Sequence, residues 1–119
     1  ISVPKVTGSE EPCSLSYTML TQILREELGY NGIIITDALE MRAVSSKYDS
    51  AQACIKALQA GADILLMPFD YVQAFEGVLA AVEDGRISED RIDRSLERIA
   101  ALKNKIHSYV IGSGRNGIN

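Results

Sequence analysis

Asn31-Gly32-Ile33-Ile34-Ile35-Thr36-Asp37-Ala38-Leu39-Glu40-Met41 is the stretch that decides the fold. A turn pair opens it, a β-branched run follows, and the run ends on a single carboxylate. β-branched side chains suit extended backbone. Three adjacent isoleucines show no alternation between an apolar and a polar face. A strand over residues 32–36 is therefore expected in a parallel sheet covered on both sides. Asp37 then stands where the strand leaves the core, the end of an α/β sheet at which ligands and catalytic groups collect.

Working outward, a second strand, apolar apart from Asp63, covers residues 62–67 and stops at Pro68, and residues 1–3 read as the tail of a further strand stopped by Pro4. Ser14 or Ser16 can cap a helix with Leu20, Ile23, Leu24 and Leu28 on one face, followed by Gly29. A second helix starts near Asp49 or Ser50, buries Ala51, Cys54, Ile55 and Leu58, and ends at Gly61. A third carries Val72, Phe75, Leu79 and Val82 and ends at Gly85. Ser88 caps the last, whose stripe is Ile92, Leu96, Ile99 and Ile106. Glu89 and Asp90 at its start and Lys103 and Lys105 near its end match the helix dipole.

The two strands lie about 31 residues apart, a usual length for a parallel crossover. A loop or short helix of about a dozen residues follows the first, long for such a unit, and long loops at carboxyl strand ends carry function. Two strands and a stub cannot cover both faces and both edges of a sheet. The expected fold is α/β: consecutive βα units forming part of a larger barrel or sheet.

Composition narrows the function. With 119 residues the chain is one domain at most, and 24% charged against 46% hydrophobic residues is ordinary for a globular protein. A net charge of -4 with no basic, aromatic-laced patch argues against nucleic acid. The apolar runs fall far short of the roughly 20 residues of a membrane span. Cys13 and Cys54 make neither a disulfide framework nor a metal cluster, and Cys54 reads as a small buried thiol. Residues 112–117 fit G-x-G-x-x-G after a strand-like 109–111, but too little chain follows for a dinucleotide fingerprint. Residues 108–119 therefore read as a flexible tail, and His107, past the last helix, as solvated or facing the helix end. Asp63 reads as a cap or a structural pair. Asp37 and Glu40 also spell D-x-x-E, a capping box for a short helix through Val44, so on the residues alone a structural and a functional role both stand.

Four segments carry a resemblance. Leu24-Arg25-Glu26-Glu27-Leu28-Gly29-Tyr30-Asn31-Gly32 leads into the strand ending Thr36-Asp37, and Ala60-Gly61-Ala62-Asp63-Ile64-Leu65-Leu66-Met67-Pro68 follows. Gly85-Arg86-Ile87-Ser88 and Arg91-Ile92-Asp93-Arg94-Ser95-Leu96-Glu97-Arg98-Ile99 come next, in that order. Together, over about residues 1–106, they resemble glycoside hydrolase family 3. Thr36-Asp37-Ala38-Leu39-Glu40-Met41 is closer to its bacterial β-N-acetylhexosaminidase branch than to its β-glucosidase branch.

The resemblance implies a TIM-type (β/α)8 barrel, with residues 1–107 as its C-terminal portion. Residues 1–3, 32–36 and 62–67 would be the end of strand six, strand seven and strand eight. It implies that Asp37 is the nucleophile of a retaining exo-glycosidase, trapping the sugar as a covalent intermediate that water then releases. The substrate would carry terminal β-linked N-acetylglucosamine, as in a glycan or muropeptide, with no metal or cofactor required. The acid/base His belongs to an earlier loop outside these residues, so the chain alone is expected to be inactive. Met41 and Arg42 are candidate substrate contacts, set against plain packing for Met41 and solvation for Arg42. β-Glucosidase or phosphorylase chemistry and a non-catalytic scaffold of the same fold stay open. A receiver-like phospho-acceptor domain is weaker: residues 60–63 and 68–70 suit it, but Met67 replaces its Lys and residues 1–4 lack its acidic pair. Unpaired strand edges also predict self-association of the fragment.

Overall fold

β1 (Ile35–Ala38) and β2 (Ile64–Leu66) pair in parallel and form a two-stranded sheet. The computed structural model describes the backbone of residues 1–118 and the side chains of residues 1–112. Both strands are shorter than the apolar runs predicted, and β1 begins three residues later, so Asp37 lies within it rather than beyond it. The isoleucines also alternate. Ile34 is buried under the helices, whereas Ile35 is 57% exposed on the opposite face. One face of the sheet is covered and the other is open.

The N-terminal segment departs from the strand expected there. Ser2 forms only an isolated antiparallel bridge to Pro12, and Pro4–Thr7 is a single turn of helix (α1) closed by Gly8 at φ 74°. Pro4 suits the first helical position, where its missing N–H is not needed. A 3-10 turn at Cys13–Leu15 precedes a helix at Thr18–Glu27 wound with wide, π-type turns, shown at its end by Leu28 N–H donating to Ile23 O at 2.9 Å. Ser16 Oγ accepts from Met19 N–H at 3.3 Å, which makes Ser16 the cap. Leu20 and Leu24 pack on the core as expected, but the wider winding rotates Leu28 off that face and leaves it 71% exposed.

α2 (Arg42–Ser45) and α3 (Ser50–Ala60) follow β1. α3 opens on a reciprocal capping box between Asp49 and Gln52 and ends at Gly61, whose φ of 120° no side chain tolerates well. Its buried face is Ser50, Ala53, Cys54, Ala57, Leu58 and Ala60, rotated slightly from the stripe read off the sequence, with Ala51 and Ile55 only half-buried. Burial pushes the Cys54 thiol up to about 11, an inert small hydrophobe.

α4 (Tyr71–Glu83), capped by Asp70, keeps only Val82 of the predicted stripe against the core. Ala74 and Ala81 are buried, whereas Val72, Phe75 and Leu79 are exposed, Phe75 at 70%. The reason is a close approach to α3 through small residues. A Cβ on Gly77 would overlap the Ala51 methyl, so only glycine fits. The large apolar face of α4 is left uncovered.

α5 (Glu89–Ile118) begins at Ser88, whose Oγ accepts from Arg91 N–H at 3.2 Å. It runs through the residues read as a tail. Tyr109–Ile111 are helical rather than strand-like, and His107 is an exposed residue inside the helix, not beyond it. Ser95 is buried and Ile92 and Ile99 are half-buried, but Leu96 and Ile106 are exposed.

Asp63 ties these elements together. Its side chain is fully buried, with Oδ2 accepting from Arg25 Nη2 at 2.6 Å and Ile34 N–H at 3.0 Å, and Oδ1 from Ser95 Oγ at 2.6 Å and Arg98 Nη1 at 2.8 Å. The π-wound helix, β1, β2 and α5 thus meet on one carboxylate, the structural pair that the sequence suggested. Burial pushes this carboxyl up. Hydrogen bonds from Ser95, Ile34 N–H and Arg98 and the charge of Arg25 outweigh that and hold it below the usual range.

Candidate functional site

Asp37 is the third residue of β1, exposed on the open face of the sheet, at the strand's carboxyl end. Its backbone N–H donates to Ser14 Oγ at 3.3 Å. The ladder beside it is irregular: Ile35 pairs with Ile64 and Ala38 with Leu66, three residues against two. The buried Thr36 hydroxyl causes this by accepting Leu66 N–H at 2.9 Å. One residue of β1 is therefore bulged out next to Asp37. Bulges of this kind re-aim a side chain and concentrate beside functional sites.

The capping role for Asp37 and Glu40 does not hold. α2 starts at Arg42 with Met41 at its N-cap and no side-chain cap. Leu39 N–H donates to Leu66 O at 2.9 Å and Glu40 N–H to Met67 O at 3.0 Å, so the chain stays docked on β2 until it turns into α2. Asp37 is extended and spends neither oxygen on the helix. Met41 is 45% exposed and Arg42 is exposed, both just beyond the strand end, but among the described residues no ion pair joins Arg42 to Asp37.

Met67 stands at the same carboxyl end of the sheet, where its carbonyl accepts from Glu40 N–H. It follows β2, is half-exposed, and holds φ at 47°, the only non-glycine residue with positive φ among the described residues. The residue before a proline is normally extended, so its conformation stores strain, as residues beside functional sites often do. The most pronounced clefts lie elsewhere. One of about 250 Å³ opens behind Leu39, between Tyr48 and Phe69, and Asp37 does not line it. The open sheet face around Asp37 is instead apolar, with Ile35 and Leu66 exposed.

Residues 1–102 match the family described as the Glycosyl hydrolase family 3 N terminal domain. The chain belongs to glycoside hydrolase family 3. It is 38% identical over 104 residues to the β-hexosaminidase A of Pseudoalteromonas piscicida, covering 80% of this chain and 17% of that protein. It is 32% identical over 92 residues to a β-N-acetylglucosaminidase/β-glucosidase of Cellulomonas fimi, covering 77% and 16%. The solved family 3 β-N-acetylglucosaminidase of Paenibacillus sp. str. FPU-7 superposes with a TM-score of 0.79 at 45% identity, over 85% of this chain and 20% of that one. The chain thus spans about a fifth or less of these relatives.

Membership of family 3 removes the receiver-like reading and agrees with the four motif segments. It also accounts for the architecture: parallel strands joined by helices are one part of the TIM-barrel-like fold of the family's N-terminal domain. Ile35, Asp37 and Leu66 share the open face of the two-stranded sheet.

Proposed function

We propose that this chain supplies the nucleophile strand of a retaining exo-β-N-acetylhexosaminidase, with Asp37 as the nucleophile. The observation that carries it is the exposed, uncommitted carboxylate of Asp37 at a bulged strand end, on the face that a barrel turns inward. In such an enzyme Asp37 attacks the anomeric carbon of a terminal N-acetylglucosamine while the acid/base group protonates the departing oxygen. Water activated by the same group then hydrolyses the glycosyl ester with net retention. That second group lies on the part of the barrel outside these residues. Met41, Arg42 and Met67 flank the carboxyl strand ends and are proposed to line the sugar site. The names of the relatives favour N-acetylglucosamine; that of the Cellulomonas protein adds glucose as the second reading.

The test is covalent trapping in an enzyme that contains this segment. A slow 2-fluoro glycoside substrate followed by peptide mass spectrometry is expected to place the sugar on Asp37. Label on another carboxylate overturns the assignment. The 119-residue chain by itself is expected to give no turnover of a chromogenic N-acetylglucosaminide, and Asp37-dependent turnover would refute that.

A further inference from the structure

At the opposite end of the strands from Asp37, four arginines gather, three of them on one carboxylate. Arg25 comes from the π-wound helix, and Arg91, Arg94 and Arg98 from three consecutive turns of α5. They line a cleft of about 170 Å³ with Thr21, Tyr17 and Gln59. Asp63 is the acid that pairs with this group, to Arg25 at 2.6 Å, Arg98 at 2.8 Å and Arg91 at 3.9 Å. Four guanidiniums against one carboxylate leave an excess of three positive charges. Backbone carbonyls take some of the donors: Arg91 donates to Leu58 O and Ala62 O, and Arg25 to Gly61 O and Gly32 O. A helix C-terminus contributes only about half a negative charge, so the excess remains.

Two donor sets stay unused. Arg25 Nε is buried and has no hydrogen-bond partner. Arg94 forms no ion pair or side-chain hydrogen bond among the described residues. Proton affinity agrees with the geometry: burial pulls the Arg91 guanidinium down, Asp63 opposes this, and the charges of Arg98, Arg25 and Arg94 pull it down further. A buried donor without an acceptor costs free energy, and crowded guanidiniums repel one another. A small oxyanion relieves the repulsion, because guanidiniums present forked donors matched to phosphate geometry.

We propose that this cleft is a binding site for a small tetrahedral oxyanion of the phosphate class, separate from the sugar site. Arg94 and the free donors of Arg98 contact the anion, and Asp63 holds the arginines in place. Arg94 is the residue to test, since it is exposed and has no structural partner to lose.

The experiment is calorimetric titration of the full chain with inorganic phosphate, at ionic strength held constant with chloride. One saturable site is expected, weakened about tenfold in R94Q and lost in R94E. Melting temperature should rise with phosphate in the wild type, as binding to the folded state alone requires, and less in R94Q. Heats no different from the chloride blank overturn the proposal. So does phosphate binding that R94Q and R94E leave unchanged.

Discussion

Arg25 Nη2 lies 2.6 Å from Asp63 Oδ2, joining residues 38 positions apart across the start of both strands. Asp63 is fully buried and Arg25 nearly so. Breaking a buried pair is costly because it strands the partner's charge. Asp63→Ala should therefore destabilise the fold by about 3–5 kcal/mol, read as a shift in the urea midpoint. A change within the range of an ordinary surface substitution would contradict the role given to Asp63.

The same carboxylate sets a pH dependence. Its folded pKa lies below that of the unfolded chain, whose value is about 3.9. The stability it confers is complete above the unfolded value and is lost as pH falls through the folded one. Unfolding free energy should drop steeply below about pH 4 in the wild type and more shallowly in Asp63→Asn. Equal slopes in the two proteins would sink this assignment.

Thr36 is buried, and its hydroxyl replaces a main-chain acceptor for Leu66 N–H. Thr36→Val keeps the shape but leaves that N–H without a partner, a loss of about 1–3 kcal/mol. Thr36→Ser retains the hydroxyl and should recover most of it. In an enzyme containing this strand, the valine variant should lower kcat more than it raises KM, because the bulge beside Asp37 would relax. Full activity in Thr36→Val would show that the bulge does not aim the carboxylate.

Gly77 and Ala51 fix the distance between α3 and α4. Gly77→Ala improves helix propensity by up to about 1 kcal/mol, but overpacking of this kind costs about 1–3 kcal/mol. The net effect should be destabilising. In an Ala51→Gly background the same change should turn stabilising, and a double-mutant cycle measures the coupling. Additive effects would mean that the two positions do not touch.

Phe75 and Leu79 on α4, and Ile35 and Leu66 on the open sheet face, are exposed, and exposed apolar surface marks association sites. The chain alone should sediment as a concentration-dependent oligomer, and Leu79→Lys should shift it toward monomer. A wild-type monomer at all concentrations would count against this.

Much of this architecture can be read from the residues, and the failures have physical causes. The parallel pair, the Asp49 cap and the glycine stops at Gly29 and Gly61 follow from local chemistry. The stripe expected on α4 holds only at Val82, because apolarity does not say which of two apolar faces is covered; the alanines and Gly77 permit the closer approach and so decide it. The glycines near the C-terminus do not end α5, which continues to Ile118. Asp37 stands out as the last carboxylate of a β-branched run. The strain at Met67 and the bulge at Thr36 depend on how two strands meet, which neither run encodes separately.

The amino ends of both strands are bolted to two helices through Asp63, while Asp37 projects from the other end with no comparable fastening. Anchorage and working tip are spaced along one short beam. Side chains around that end can be exchanged without loosening the bolts.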